Sequence, residues 1–354
     1  MLAAYLTSPK NLVLKERPIP RPERNEVLIK IMACGVCPTD IRYFLGYGKH
    51  TCYGEESYGL TGHEWSGVVF EVGGNVEKIQ VNDRVVVDHI ASCGACRYCR
   101  RNLTNHCINK RYYLRGYAEY GLAYGPTLLK LPEKISFEEA CFVEPLSSCI
   151  NSIERASISM GEVVAIIGDG VIGLLHLQLA KLRGAEVVMI GHHNDRLKLS
   201  EKIGADYTFN SREVDIYEEI SRLTDNYGVD VVIVATQGTK ALQSALKIVG
   251  RNSRIIVFSG TYPEEKISIN PNKIHYPELS IIGASEHNVR QFTTSLKLIE
   301  KGLVRVKPLI SNIVPLREID KAFDIVINRR GLKTIVRPHQ EDGLFLIEGS
   351  IFNV

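Results

Sequence analysis

The chain changes its hydrophobic rhythm once, near residue 149. Before that point apolar residues fall in short β-type runs: Glu26-Val27-Leu28-Ile29-Lys30-Ile31, Trp65 to Val72, and Asp83 to Val87. Turn formers separate them, at Arg21-Pro22, Gly73-Gly74-Asn75 and Val81-Asn82-Asp83. Such runs between turns predict a compact antiparallel β domain. After it, Val163-Val164-Ala165-Ile166-Ile167 is continuously apolar, as a strand buried on both faces should be. Helical stretches follow at Val171 to Arg183, Asp195 to Ile203, Asp215 to Leu223 and Thr239 to Val249. Between them lie strand-like runs at Glu186 to Ile190, around Tyr207, at Val229 to Val234, Arg254 to Phe258 and Leu279 to Ile282. This alternation predicts an α/β fold with a doubly wound parallel sheet over 149–285. Two further helices, Val289 to Lys301 and Leu316 to Ile327, and a strand, Lys333 to Val336, are expected to return to the first domain, giving 1–148 with 286–354. The tail from Pro338 to Val354 follows neither period.

The length of 354 residues suits two cores. A net charge of +3 offers nothing to nucleic acid or to a membrane surface. No apolar run reaches the length of a membrane span. Met1-Leu2-Ala3-Ala4-Tyr5 lacks the basic end and apolar stretch of a signal peptide, so a cytoplasmic home with reduced thiols is expected. Nine cysteines then need a reason other than disulfides, and four of them lie within fifteen residues.

Those four, Cys93, Cys96, Cys99 and Cys107, are spaced C-x2-C-x2-C-x7-C. Short spacings let one loop wrap a tetrahedral zinc with no position left for substrate, so a structural ion in a lobe at about 91–110 is expected. An iron–sulfur site would use similar ligands. A more dispersed set comprises Gly35-Val36-Cys37-Pro38-Thr39-Asp40, Gly62-His63-Glu64 and Val143-Glu144-Pro145-Leu146. Each alone says little: a histidine in a Gly-rich loop is more often a surface residue, and Cys34 with Cys37 would suit a redox pair. In this order, ahead of a dinucleotide-type fold, they describe a catalytic zinc with an open position. The third motif is Gly168-Asp169-Gly170-Val171-Ile172-Gly173, directly after an apolar strand and opening a helix. Gly168 makes the turn, Gly170 admits pyrophosphate and Gly173 lets helix and sheet pack, while the N–H groups of the helix start at Val171 and Ile172 face the phosphates.

With these motifs the chain resembles the medium-chain zinc-dependent alcohol dehydrogenase superfamily over about residues 1–336, and Val143-Glu144-Pro145-Leu146-Ser147 resembles its polyol and sugar branch, which includes sorbitol, glucose and threonine dehydrogenases. The resemblance implies a GroES-like, mainly β catalytic domain beside a Rossmann domain. It implies Cys37 and His63 as catalytic zinc ligands, with Glu64 and Glu144 in or near the metal's surroundings; Cys149 is a rival to Glu144. Asp40 would stand behind His63 and orient it. Thr39 would take the proton of a zinc-activated hydroxyl, while the carbinol hydride passes to the nicotinamide. Many relatives end this relay in a histidine where this chain has Arg42, a poor base, which leaves bulk water as the acceptor. His50 and His89 are near in sequence, but nothing ties either to the site. Cys34, Cys52 and Cys141 read as core thiols. Ser259, Gly260, Ala284 and Ser285 complete the implied cofactor site. The implied partner is a small molecule carrying a hydroxyl or carbonyl, and the implied assembly a homodimer or homotetramer. Tyr43, Tyr47, Tyr53, Glu55, Glu56 and Tyr58 suggest a polar, multi-hydroxyl substrate, or equally an exposed loop. An amino-acid substrate of the threonine type, and a cofactor-binding protein that has lost its chemistry, are the competing readings.

Cofactor choice turns on the end of the second strand, where an NAD site carries an acid for the ribose 2′-hydroxyl. Aligned with relatives, Gly191 occupies that place, followed by His192, His193 and, further on, Arg196. An uncharged strand end with three donors favours NADP(H) over NAD(H); Asp195 is the nearest acid if the strand ends later.

Overall fold

The structure is a computed structural model that describes residues 1–47 and 62–339, and the backbone of 345–346. His50, Cys52, Tyr53, Glu55, Glu56 and Tyr58 lie outside the described residues. The chain forms two compact units, Met1–Pro145 with Asn288–Val354, and Leu146–His287.

The first unit is built on one long strand, Glu26–Gly35. It pairs antiparallel with Glu64–Val72 and with Tyr120–Tyr124, and its last residues pair with Lys333–Arg337. Arg84–Val87 and Leu128–Lys130 extend the sheet on one side, and Ile310–Pro315 and Phe345–Leu346 on the other. A hairpin, Leu2–Ser8 with Asn11–Glu16, stands apart from that sheet. The core beneath is apolar and aromatic: Trp65, Tyr117 and Phe323 are fully buried among Val27, Ile29 and Ile31. The register is what matters for function. Gly35, the last residue of its strand, pairs with Glu64, the first of the next, and with Ile335, so three strands meet at one point.

The second unit is a six-stranded sheet, parallel in every pairing, in the order Tyr207–Asn210, Glu186–Gly191, Val163–Ile167, Val229–Val234, Val249–Val257, Ser280–Gly283. The helices Val171–Leu182, Asn194–Lys202, Ile216–Leu223 and Thr239–Ile248 connect the strands. The expected doubly wound architecture is present, with element ends shifted by a few residues; the run at Arg254 belongs to a strand starting at Val249. No helix among the described residues is long and apolar enough to cross a membrane.

Helix Val171–Leu182 packs on its own strand only because Gly173 has no side chain: a Cβ there would overlap the carbonyl oxygen of Gly168. At Gly170 an added Cβ meets nothing. Gly173→Ala should therefore destabilise the second unit by about 1–3 kcal/mol, the cost of overpacking, whereas Gly170→Ala should leave stability unchanged. Thermal unfolding without cofactor checks this; equal midpoints for the two variants would refute the close-packing account.

Candidate active site

Cys37 stands two residues past the end of the central strand and caps the short helix Pro38–Phe44. His63 immediately precedes the strand Glu64–Val72. The strand register brings Cys37, His63 and Glu64 together, with one ligand atom from each within 4.8 Å of the others. A thiol, an imidazole and a carboxylate at this separation fit a zinc ion.

The groups behind them fix their orientation. Asp40 is completely buried, and its Oδ1 lies 3.3 Å from His63 Nδ1, which leaves Nε2 to face a metal. Its Oδ2 accepts from the Tyr117 hydroxyl at 2.6 Å and from the Cys37 N–H at 3.0 Å. Burial opposes protonation of His63, but Asp40 and Cys37 outweigh it and hold its pKa well above the ordinary value. Burial, then Asp40, push the Tyr117 phenol up, so it stays a donor. Glu64 forms a buried ion pair with Lys333, from the strand at the other end of the sequence. Burial works against the charge on Lys333, and Glu64 outweighs it, so the ammonium is retained.

Thr39 is exposed in the first turn of the short helix, two residues from Cys37. Arg42 stacks its guanidinium 4.7 Å over the Tyr43 ring. Glu144 is buried in the first turn of helix Val143–Ala156, outside the group of three ligand atoms that lie within 4.8 Å. Cys149 is buried with its sulfur 4.0 Å from the Ile172 carbonyl oxygen. Sequence reasoning missed two residues. His89 has its ring centroid 5.2 Å from that of His63, and Lys333 neutralises Glu64. Neither carries a local motif: Lys333 arrives through strand register, and His89 from the link between two strands.

The cysteine quartet also converges, with all four sulfurs within 4.8 Å of one another. Cys96 and Cys99 sulfurs are 3.5 Å apart, and the Cys93 N–H donates to Cys107 Sγ at 3.3 Å. Backbone N–H groups, that of Cys99 foremost, lower the Cys96 thiol to about 6. Burial and the neighbouring Cys96 and Cys107 sulfurs raise Cys99 to about 12. Crowded sulfurs resist shared ionisation without a cation, and a tetrahedral zinc relieves that repulsion.

In the second unit the expected cofactor residues gather at the carboxyl ends of the parallel strands. Gly168 follows Val163–Ile167 and donates its N–H to the Ile190 carbonyl at 2.8 Å. Gly170 caps helix Val171–Leu182. Gly191 ends its strand, with His192 and His193 next. Ser259 and Gly260 follow Val249–Val257, and Ala284 donates to the Val257 carbonyl at 3.2 Å. Asn151 donates to the Ser285 carbonyl at 3.2 Å. Dinucleotides bind at such a crevice in open α/β sheets. One premise fails here. The strand end at Gly191 is not uncharged, because Asp169 fills it: a Cβ on Gly191 would stand 2.5 Å from Asp169 Oδ2. Burial alone would raise the Asp169 pKa, but the N–H groups of His192 and His193 outweigh it and hold it below the usual carboxylate range.

Residues 23–133 match the alcohol dehydrogenase GroES-like domain, and residues 171–301 match the zinc-binding dehydrogenase domain. The chain is 31% identical to a sorbitol dehydrogenase of Halalkalibacterium halodurans, over 93% of this chain and 96% of that protein. It is 33% identical to an L-threonine 3-dehydrogenase of Pyrococcus abyssi, over 88% of this chain and 91% of that one. A protein of Sinorhizobium meliloti 1021, solved bound to NADP, superimposes with a TM-score of 0.86 at 28% identity, over 96% of this chain and all of the other (100%).

Removing Lys333 leaves the Glu64 carboxylate buried without its cation. Lys333→Met should cost about 3–5 kcal/mol, read by urea unfolding, and adding Glu64→Gln to that variant should return most of it. A loss below about 1 kcal/mol, the range of an exposed pair, would show that the pair is not a structural requirement.

Proposed function

Since the chain belongs to the zinc-binding, medium-chain alcohol dehydrogenase family, we propose that it oxidises a secondary or primary hydroxyl of a polyol, sugar or related alcohol to a carbonyl, and catalyses the reverse reduction. The observation that carries this reading is the convergence of Cys37, His63 and Glu64 beside Thr39 and Asp40.

When bound, zinc polarises the substrate oxygen and the nicotinamide cofactor takes up the hydride. Cys37 and His63 would hold the metal, and Glu64 and Glu144 would supply carboxylates in or near its surroundings. A carboxylate in place of a second thiolate suits a polar substrate site. Asp40 keeps the His63 ring in the tautomer that presents Nε2. Thr39, exposed beside Cys37, accepts the hydroxyl proton at Oγ1 and hands it to solvent. Arg42 stays protonated, so the relay ends in water rather than on that side chain. The cysteine quartet would hold a second zinc with a structural task only.

The likeness to sorbitol dehydrogenase over nearly the whole chain favours a polyol or sugar. Tyr43 and Tyr47 offer hydroxyls near the helix after Cys37; the rest of the Tyr- and Glu-rich run lies outside the described residues. The likeness to threonine dehydrogenase keeps an amino-acid hydroxyl as the second reading. Asp169 sets a carboxylate against the Gly191 strand end, which disfavours a 2′-phosphate there, while a protein solved with NADP bound shares the fold. A cytoplasmic homodimer or homotetramer is the proposed setting.

An oxidation screen over polyols, sugars, threonine and simple alcohols, with both cofactors, tests the reading. Turnover of polyols or sugars is expected; reaction with threonine alone would select the second reading, and reaction with simple aliphatic or aromatic alcohols alone would defeat both. Glu144→Ala should lower activity or zinc affinity at least about tenfold, the scale of losing a group that tunes a metal, with the fold intact by circular dichroism. Cys149→Ala should keep both. The opposite outcome would move the metal's third partner to Cys149.

A further inference from the structure

Within the second unit, one carboxylate occupies a place that the glycine motif does not call for. Asp169 lies between Gly168 and Gly170, and its side chain is buried. Its Oδ2 accepts from the backbone N–H of His192 and of His193, each at 2.8 Å, and faces His193 Nδ1 at 3.0 Å. Arg196 Nη1 is 3.7 Å from Oδ1. The carboxylate therefore spans from the glycine turn to the end of the second strand, and comes to rest over Gly191.

Gly191 is the strand's last residue and has no side chain of its own to offer. The space in which an acid at 191 would begin already holds Asp169 Oδ2, 2.5 Å from the Cβ position. From this we infer that Asp169 supplies, from the glycine turn, the carboxylate that a dinucleotide site otherwise carries at the end of its second strand, and that it thereby selects NAD(H) against NADP(H). The inference rests on reading 146–287 as a nicotinamide dinucleotide site.

Two features of the cluster support discrimination. Three donors hold the carboxylate in one place, so it presents a fixed negative charge to the adenosine ribose rather than a mobile one. The basic groups that would serve a 2′-phosphate are turned to the same acid: His193 Nδ1 bonds it and Arg196, itself buried, faces it. A 2′-phosphate entering here meets a carboxylate first and must compete with it for both. A ribose with free hydroxyls brings no second negative charge and has the same carboxylate as its acceptor.

The alternative is that Asp169 is a latch that merely pins the 191–193 loop. The two differ in what a neutral isostere does. The probes are NADH and NADPH, titrated into the zinc-loaded full chain without substrate and followed by nicotinamide fluorescence, with thermal unfolding of each variant as the check on folding. The wild type should bind NADH at least tenfold more tightly than NADPH. Asp169→Asn keeps the shape and removes the charge, and should shrink that ratio at least tenfold. Gly191→Asp alone should lose NADH binding through collision, and Asp169→Gly with Gly191→Asp should regain the NADH preference by moving the acid to the strand end. Wild-type protein that binds NADPH as tightly as NADH would overturn the inference, as would an Asp169→Asn variant that loses both equally. Binding of neither by the folded wild type would sink the dinucleotide-site reading itself, and the inference with it. If Asp169→Asn does not fold, the doubly substituted chain decides: an NADH preference there supports the transposed acid, and its absence counts against it.

Discussion

Charge buried away from water has to be answered by charge or by hydrogen bonds, and the first unit is arranged around that requirement. Asp40, Glu64, His63 and Lys333 are all buried near the point where three strands meet. A carboxylate there without a partner would either take up a proton or unfold its surroundings. Asp40 is satisfied by Tyr117, the Cys37 N–H and His63; Glu64 is satisfied by Lys333. The pairing of Gly35 with Glu64 and with Ile335 brings the Glu64 and Lys333 strands to the same place, so the sheet's register and the site depend on each other. A slip of one residue would turn every side chain of a strand to the opposite face and strip the acids of their partners.

The second unit meets the same requirement with different means. The centre of its sheet, Val163–Ile167 and Val229–Val234, is almost wholly apolar, and the candidate cofactor residues gather at the carboxyl ends of the strands. There the backbone supplies what side chains supply in the first unit. N–H groups at the loop after Gly191 hold Asp169 ionised, and the N-terminus of helix Val171–Leu182 opens toward the same crevice. His176, by contrast, is driven to about 4 by burial and packs neutral against Phe258, a core residue despite its type.

Much of this was legible in the order of residues, and the exceptions have physical causes. Amphipathic and continuous apolar runs gave nearly all the strands and helices of the second unit, because each packs locally on its neighbour in sequence. The hairpin Leu2–Glu16 escaped notice since Ala3, Ala4, Tyr5 and Leu6 are all buried and show no alternation. Helix Val143–Ala156 was hidden by Pro145, which the first turn of a helix tolerates although it reads as a breaker. Strand Ile310–Pro315 is buried throughout yet carries Ser311 and Asn312, so it did not read as apolar. Cys37, His63, Glu64 and the quartet were legible because ligand chemistry restricts residue type and spacing. Lys333 and His89 were not, because only contacts distant in sequence give them a role. Asp169 stood in plain view inside a motif whose glycines draw all the attention.

The first unit is assembled from two stretches of chain, 1–145 and 288–354, with the whole of the second unit between them. During synthesis, Glu64 leaves the ribosome long before Lys333 exists. At about 5–20 residues per second, the wait is roughly fifteen to fifty seconds. Throughout that interval the strand end at Glu64 has no cation to meet, and the sheet lacks the strands that close one side of it. The contiguous second unit has no such dependence and can reach its final form first. The unit that carries the candidate metal sites is thus the last to become complete, although the residues proposed as ligands are among the first to be made.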